Sequence, residues 1–294
     1  MNVELISQLR NITNAGMSDC SSALKEAGGD LQQAIDIIKI KGQAISDARS
    51  AKPATEGVIG MASSPDQRKQ VAVEINTQTD FVSRNPVFIK FVNHVAQVYL
   101  DQGDSFSAES VEIARQEVSA STKENIVVRR WWALEAPVNV RLFSYLHSNN
   151  KIGVLLSLQA SETILHQPEF QQLGEDLTMQ ICAMNPLAVE ALYLPTDERE
   201  RQKAIFESQL KEENKPPAMW DKILLGKMAR WHKDVCLLEQ ESITVPKTSV
   251  KKVITDLETK LGGSIAVVSF IRAEVGEGLV KKIDNLAQEV GKLL

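Results

Sequence analysis

His232 and Cys236 stand four residues apart, a spacing that sets an imidazole and a thiol on one helix face. A metal site needs more ligands than two, and no further His, Cys or acid follows at a matching spacing. The three cysteines, Cys20, Cys182 and Cys236, are odd in number and far apart, with no CxxC among them. A disulfide framework, a zinc site and a redox motif are therefore not expected, and Cys20 and Cys182 read as buried reduced thiols. Gly276-Glu277-Gly278 lies between a strand-like and a helix-like run, where a dinucleotide turn would lie. Lys281 occupies the place of the third glycine, so a structural turn is the better reading. There is no GxxxxGK[ST] and no GxSxG. The acid pairs Asp197-Glu198 and Glu212-Glu213 sit on a charged helical run and read as a solvated face. No catalytic, cofactor-binding or metal-ligating residue is assigned, and no covalent chemistry is expected.

Two arrangements remain. Arg129-Arg130-Trp131-Trp132 puts cations beside aromatic rings, which can stack on bases. It lies within a strand-like run, Ile126–Leu134, where one Trp would face a core and the other a sheet surface. The other arrangement is Thr79-Asp80-Phe81-Val82. It follows the alternating run Val71–Ile75 and precedes a helical pattern from Pro86, so it occupies a strand-to-helix corner. Corners are exposed, because a buried loop would strand polar backbone groups. A Phe at such a corner reads as a tip meant to be pushed into a partner.

Composition bounds the rest. The 294 residues are 43% hydrophobic, enough for packed cores. Lys and Arg total 33 against 38 acids, a formal charge of −5. That balance argues against broad nucleic-acid binding. No apolar run approaches the about 18 residues of a spanning helix, and Met1–Glu4 lacks a positive leader region. A cytoplasmic protein with no membrane partner is expected.

The elements follow from periodicity. Residues 2–41 predict three short helices. Val3, Ile6 and Leu9 mark the first; Ser18 or Asp19 caps the second, Cys20–Ala27; Asp30 caps the third, Leu31–Lys39. Residues 42–56 suit a flexible linker or a solvated helix, and Pro53 favours the linker. The chain then repeats itself at an offset of 82. Val71–Ile75 falls on Gly153–Ser157, and Asn85-Pro86-Val87-Phe88 on Gln167-Pro168-Glu169-Phe170. Two related α+β lobes are predicted. The corner of the second copy is Ser161-Glu162-Thr163-Ile164, so the fold does not demand Phe there. Asp197–Glu213 and Ala218–Lys233 form a helical hairpin around Asn214-Lys215-Pro216-Pro217, with a narrow apolar stripe suited to a coiled coil. A helix over Val250–Leu261, a strand over Ile265–Ile271 and a last helix to Leu294 complete the pattern.

Asn76-Thr77-Gln78-Thr79-Asp80-Phe81-Val82-Ser83-Arg84-Asn85 closely resembles the signature of the bacterial elongation factor Ts family. Further likeness runs in order along the chain: Ala15–Cys20 with Ala23-Leu24, Glu124–Arg130, Tyr145-Leu146-His147, Lys151–Leu155, Leu237–Gln240 and Phe270–Gly278. The chain departs from that family's habit at Asn14, Ser18, Trp131-Trp132 and Glu241-Ser242.

The resemblance implies a guanine-nucleotide exchange factor that binds elongation factor Tu, both GDP-bound and nucleotide-free, with no direct nucleic-acid contact. It also implies a division of the chain. Residues 1–42 would be a ubiquitin-associated-like three-helix module and 43–56 a linker. Residues 57–138 would be the N lobe, and 139–186 with 234–278 the C lobe of a duplicated α+β core. Residues 187–233 would be an inserted antiparallel coiled-coil hairpin, and 279–294 a C-terminal helix. By the same resemblance, Thr79, Asp80, Phe81 and Val82 dislodge magnesium from the partner's nucleotide site. Arg10, Met17 and His147 bind the partner. A helical adaptor without exchange activity is the alternative.

Overall fold

The computed structural model describes residues 3–13, 15–103 and 108–279. Helices and strands are mixed, with two three-stranded sheets among the described residues. The described parts fall into two compact units. One spans Met1–Gly60, Val73–Arg130 and Glu274–Leu294; the other spans Met61–Ala72 and Trp131–Ala273.

The first unit opens with α1 (Val3–Thr13), α2 (Met17–Glu26) and α3 (Leu31–Arg49). Ile6, Leu9, Cys20, Ala23, Leu24 and Ala34 bury one apolar stripe from each helix in a small shared core. Asp30 caps α3 as its sequence predicts, accepting from the Gln33 amide at 2.8 Å. Two expectations are corrected. The N-cap of α2 is Gly16, not Ser18 or Asp19, because the helix already begins at Met17. The linker expected over residues 43–56 is helical as far as Arg49, since α3 runs on beyond Lys39. The physical reason lies in α6 (Ala108–Thr122), a helix the sequence reading did not assign. Ser46 is buried and takes a bond from Arg115 of α6 at 3.1 Å. At Gly42 a Cβ would stand 2.9 Å from that of Ala120, so the helices meet where a side chain is missing.

The first sheet has the order β1 (Glu56–Ser63), β2 (Lys69–Thr77), β3 (Val127–Glu135). After β2 the chain makes one helical turn, α4 (Asp80–Ser83), then enters α5 (Pro86–Gln102). Pro86 takes the first turn of α5, where its missing N–H costs nothing, and Asn85 caps it through the Val87 amide at 2.9 Å. Phe88, Phe91, Val92, Val95, Ala96 and Tyr99 repeat at three and four residues and are all buried. Trp131 and Trp132 are both half-buried.

In the second unit β4 (Val140–Leu146), β5 (Ile152–Ala160) and β6 (Ile265–Glu274) form the second sheet in that order. β4 and β5 are antiparallel, with Phe143 opposite Leu156. α7 (Glu162–Leu165) and α8 (Pro168–Met184) follow β5. They start at 162 and 168, as α4 and α5 start at 80 and 86, an offset of 82 in both cases. Phe143, Leu156, Leu158, Phe170, Leu173, Leu177 and Ile181 pack between sheet and helix. Gly174 gives the ring of Phe143 its space: a Cβ there would lie 2.2 Å from Cε1. The chain then runs out along α9 (Thr196–Glu212) and back along α10 (Trp220–Val235), which share the buried Leu210 and Leu224. Lys227 of α10 donates to Gln209 of α9 at 2.9 Å and lies over the Phe206 ring. Backbone bonds close the base of this excursion: Leu187 N to Val235 O at 2.8 Å and Leu237 N to Ala188 O at 2.9 Å. α11 (Val250–Leu261) has the predicted bounds, capped by Ser249 and ended by Gly262 at φ 71°. The expected C-terminal helix, 279–294, lies outside the described residues except for Leu279, as does the departure at Asn14.

Candidate functional site: an exposed aromatic corner

The corner grows out of β2. Every β2 residue from Gln70 to Thr77 is buried, so the strand reaches the corner rigidly held. Thr79 then turns out of the sheet with extended backbone and caps α4, its Oγ1 accepting from the Val82 amide at 3.4 Å. Ser83 closes the turn, its hydroxyl donating to the Asp80 carbonyl at 2.8 Å. Successive residues of a helical turn point about 100° apart. Val82 therefore faces inward, 9% exposed, while Phe81 faces water at 83% exposure. Asp80 pairs with Arg84 at 3.0 Å, but both side chains are open to solvent and the pair contributes little.

The second unit holds the control. Ile164, the counterpart of Val82, is fully buried, while Thr163 stands exposed where Phe81 would be. The buried anchor recurs and the exposed ring does not. Ser161, the counterpart of Thr79, makes no side-chain cap.

One carboxylate that sequence reading missed holds the first corner. Glu124 Oε2 accepts from Thr77 Oγ1 at 2.7 Å, from the Gln78 amide at 3.1 Å and from the Thr79 amide at 3.0 Å. Its Oε1 accepts from Thr79 Oγ1 at 2.6 Å. The neighbouring Asn125 amide donates to Gln78 Oε1 at 3.2 Å. Glu124 opens the family-like stretch Glu124–Arg130, but its donors lie 45 to 47 residues away, so nothing local pairs it with the corner.

A fully buried acid, Glu74, binds β2 to β3. It accepts from Arg129 Nη1 at 2.9 Å, Arg130 Nε at 2.5 Å and the Gly276 amide at 2.8 Å. Burial alone would raise its carboxyl. The Gly276 amide, then Arg130 and Arg129, outweigh that and hold it below the usual carboxylate range. Arg129 and Arg130, candidates for base stacking in the sequence, are thus engaged by Glu74 and by the Glu277 backbone and side chain.

The other expected residues lie apart from the corner in the chain. Arg10 is exposed near the end of α1, and Met17, 51% exposed, begins α2. Val3 and Ile12 are also exposed apolar residues of that first helix. His147 closes the β4–β5 turn in the second unit, half-buried, its Nδ1 3.1 Å from Asn149 Oδ1 and its ring edge-on to Tyr145. Among the described residues no group of three His, Cys, Asp or Glu side chains could hold a metal ion. No described helix is long and apolar enough to cross a membrane.

Residues 78–277, from the exposed corner to the Glu277 contact, match the family model described as elongation factor TS. The chain belongs to the elongation factor Ts family. It is similar to an elongation factor Ts of Symbiobacterium thermophilum, 35% identical over 292 residues, covering 98% of this chain and 96% of the relative. A relative from Nautilia profundicola is 35% identical over 300 residues, covering 99% and 97%. One from Clostridium perfringens is 32% identical over 298 residues, covering 98% and 97%. Membership in the elongation factor Ts family makes the chain a translation elongation factor that acts as a nucleotide-exchange factor for elongation factor Tu.

Proposed function

We propose that the chain speeds GDP release from elongation factor Tu by pressing Phe81 into the partner beside its nucleotide site. Thr79, Asp80 and Val82 hold and orient that ring. An exchange factor works by linkage. It binds the nucleotide-free partner more tightly than the GDP-bound one, and GDP then binds more weakly by the same factor. A thousandfold weakening needs roughly 4 kcal/mol of preference. Moving the ring from water into an apolar slot yields on the order of 2 kcal/mol. The slot opens only as the partner's magnesium and phosphate ligands shift, so that energy favours the nucleotide-free state. Magnesium offsets phosphate charge, and its departure weakens the remaining grip. Arg10 and Met17 from the first unit and His147 from the second supply affinity that does not depend on the nucleotide.

The observation that carries this reading is the exposure of Phe81 on a corner whose neighbours are buried and hydrogen-bonded. The repeated offset of 82 between α4–α5 and α7–α8 supports a duplicated core, of which only the first copy carries the ring. The α1–α3 cluster supports the reading of residues 1–42 as a ubiquitin-associated-like module. The α9–α10 packing supports an antiparallel coiled-coil hairpin over 187–233. The test is release of a fluorescent GDP from elongation factor Tu with and without the chain, at low and high magnesium. Acceleration that shrinks as magnesium rises is expected. Release that is accelerated equally at all magnesium concentrations rejects the magnesium step, and no acceleration rejects the whole reading.

A further inference from the structure

We propose that Glu124 is the positioning residue of the Phe81 corner: its carboxylate holds the loop in its inserting geometry before the partner arrives. The inference rests on the wedge reading and adds to it the group that makes the wedge stiff.

Four donors converge on this one side chain: two backbone amides and two hydroxyls from three consecutive residues, Thr77, Gln78 and Thr79. An ionised carboxylate offers about four acceptor sites and donates nothing, so it can satisfy all four together. Bonds to an ionised acceptor are also about twice as strong as neutral ones. The Thr79 hydroxyl has a single proton, which goes to Glu124 Oε1 at 2.6 Å. Its lone pairs are thereby turned toward the Val82 amide, which it caps. Glu124 thus sets the start of the turn that carries Phe81.

Glu124 is itself fixed. Its carbonyl takes a bond from Ser119 Oγ of α6 at 2.6 Å. The adjacent Asn125 side chain donates to the Ser50 and Lys52 carbonyls at 3.1 and 2.7 Å. The clamp is therefore tied to α6 and to the end of α3, not to a mobile loop. Among the described residues no carboxylate takes a bond from the second corner; there the Ser161 amide donates to the Ser264 carbonyl at 3.2 Å. The corner that carries the aromatic ring is the one with a charged clamp. Ordering a loop during association consumes binding free energy that would otherwise favour one partner state over another. A corner ordered in advance directs that energy to the insertion.

The test is a double-mutant cycle on the full chain, read by maximal GDP release from elongation factor Tu and by the half-saturating concentration. Glu124→Ala is expected to lower the maximal rate about tenfold and to leave the half-saturating concentration within about threefold. In the Phe81→Ala background the same change should have no further effect, because Glu124 acts through that ring. Glu124→Gln, which keeps one acceptor oxygen, should fall between wild type and Glu124→Ala. Hydrogen exchange on the free protein should show protection lost at the Gln78 and Thr79 amides but kept through β2 and α5. Additive losses in the cycle overturn the Glu124 inference and leave the wedge standing. So does protection lost throughout the first unit, which would mark a merely structural role. A Phe81→Ala variant that releases GDP at the wild-type rate overturns the wedge itself, and the inference with it.

Discussion

Phe81→Ala separates folding from function. The ring is 83% exposed, so its removal opens no cavity, and Val82 remains to anchor the turn. Surface changes of this kind stay within about 0.5 kcal/mol of stability. The second unit builds the same turn with Thr163 at the equivalent place. Function should respond differently. Complete burial of a Phe is worth about 2.5 kcal/mol, and with most of the ring still in water about 2 kcal/mol is available to the complex. If that energy is realised only as the nucleotide site opens, its loss slows maximal GDP release by about thirtyfold. Stopped-flow release of a fluorescent GDP at saturating factor reads this directly, and a thermal melt monitors the fold. A maximal rate within twofold of wild type, with an unchanged melt, would refute the reasoning. A thirtyfold rise in the half-saturating concentration at an unchanged maximal rate would also refute it, since Phe81 would then be ordinary contact surface.

Met17→Ala should weaken binding to nucleotide-free elongation factor Tu by about fivefold, the equivalent of about 1 kcal/mol, with the maximal release rate kept; titration calorimetry beside the release assay distinguishes the two. Glu74→Gln leaves two arginines facing a neutral group and should cost about 3–5 kcal/mol at neutral pH, read by denaturant unfolding. Because the Glu74 carboxyl is held below its ordinary value of 4.5, its contribution is complete above that pH and is lost as pH falls through the lower folded value. The stability gap between wild type and Glu74→Gln should therefore close on acidification below about 4.5, and a gap independent of pH would exclude the ion pair as its source. Gly174→Ala forces a methyl group onto the Phe143 ring and should destabilise the second unit by about 1–3 kcal/mol in the same measurement, while Ala at the open Gly226 should not.

Local rules were legible wherever a single residue settles them. Asp30 and Pro86 each mark a helix start by side-chain or backbone chemistry that needs no distant partner. The corner was legible for a similar reason: a strand signal, an acid-Phe pair and a proline crowd into a few residues. What stayed hidden depends on contacts far along the chain. The extension of α3 past Lys39 looks like a linker in its own composition, and only α6 gives Gly42 and Ser46 something to pack on. Glu74 has the look of a polar residue in an alternating strand, yet it is buried, because Arg129, Arg130 and the Gly276 amide meet it from 55 to 202 residues away. Glu124 is 45 to 47 residues from the donors it serves, and nothing in its immediate sequence names them.

The paired backbone bonds at Leu187–Val189 and Val235–Leu238 bring the two ends of the α9–α10 excursion together at one neck. Loop closure there depends only weakly on how many residues lie beyond the neck. Whole helical turns can thus be gained or lost at the far end while the stem keeps its ladder.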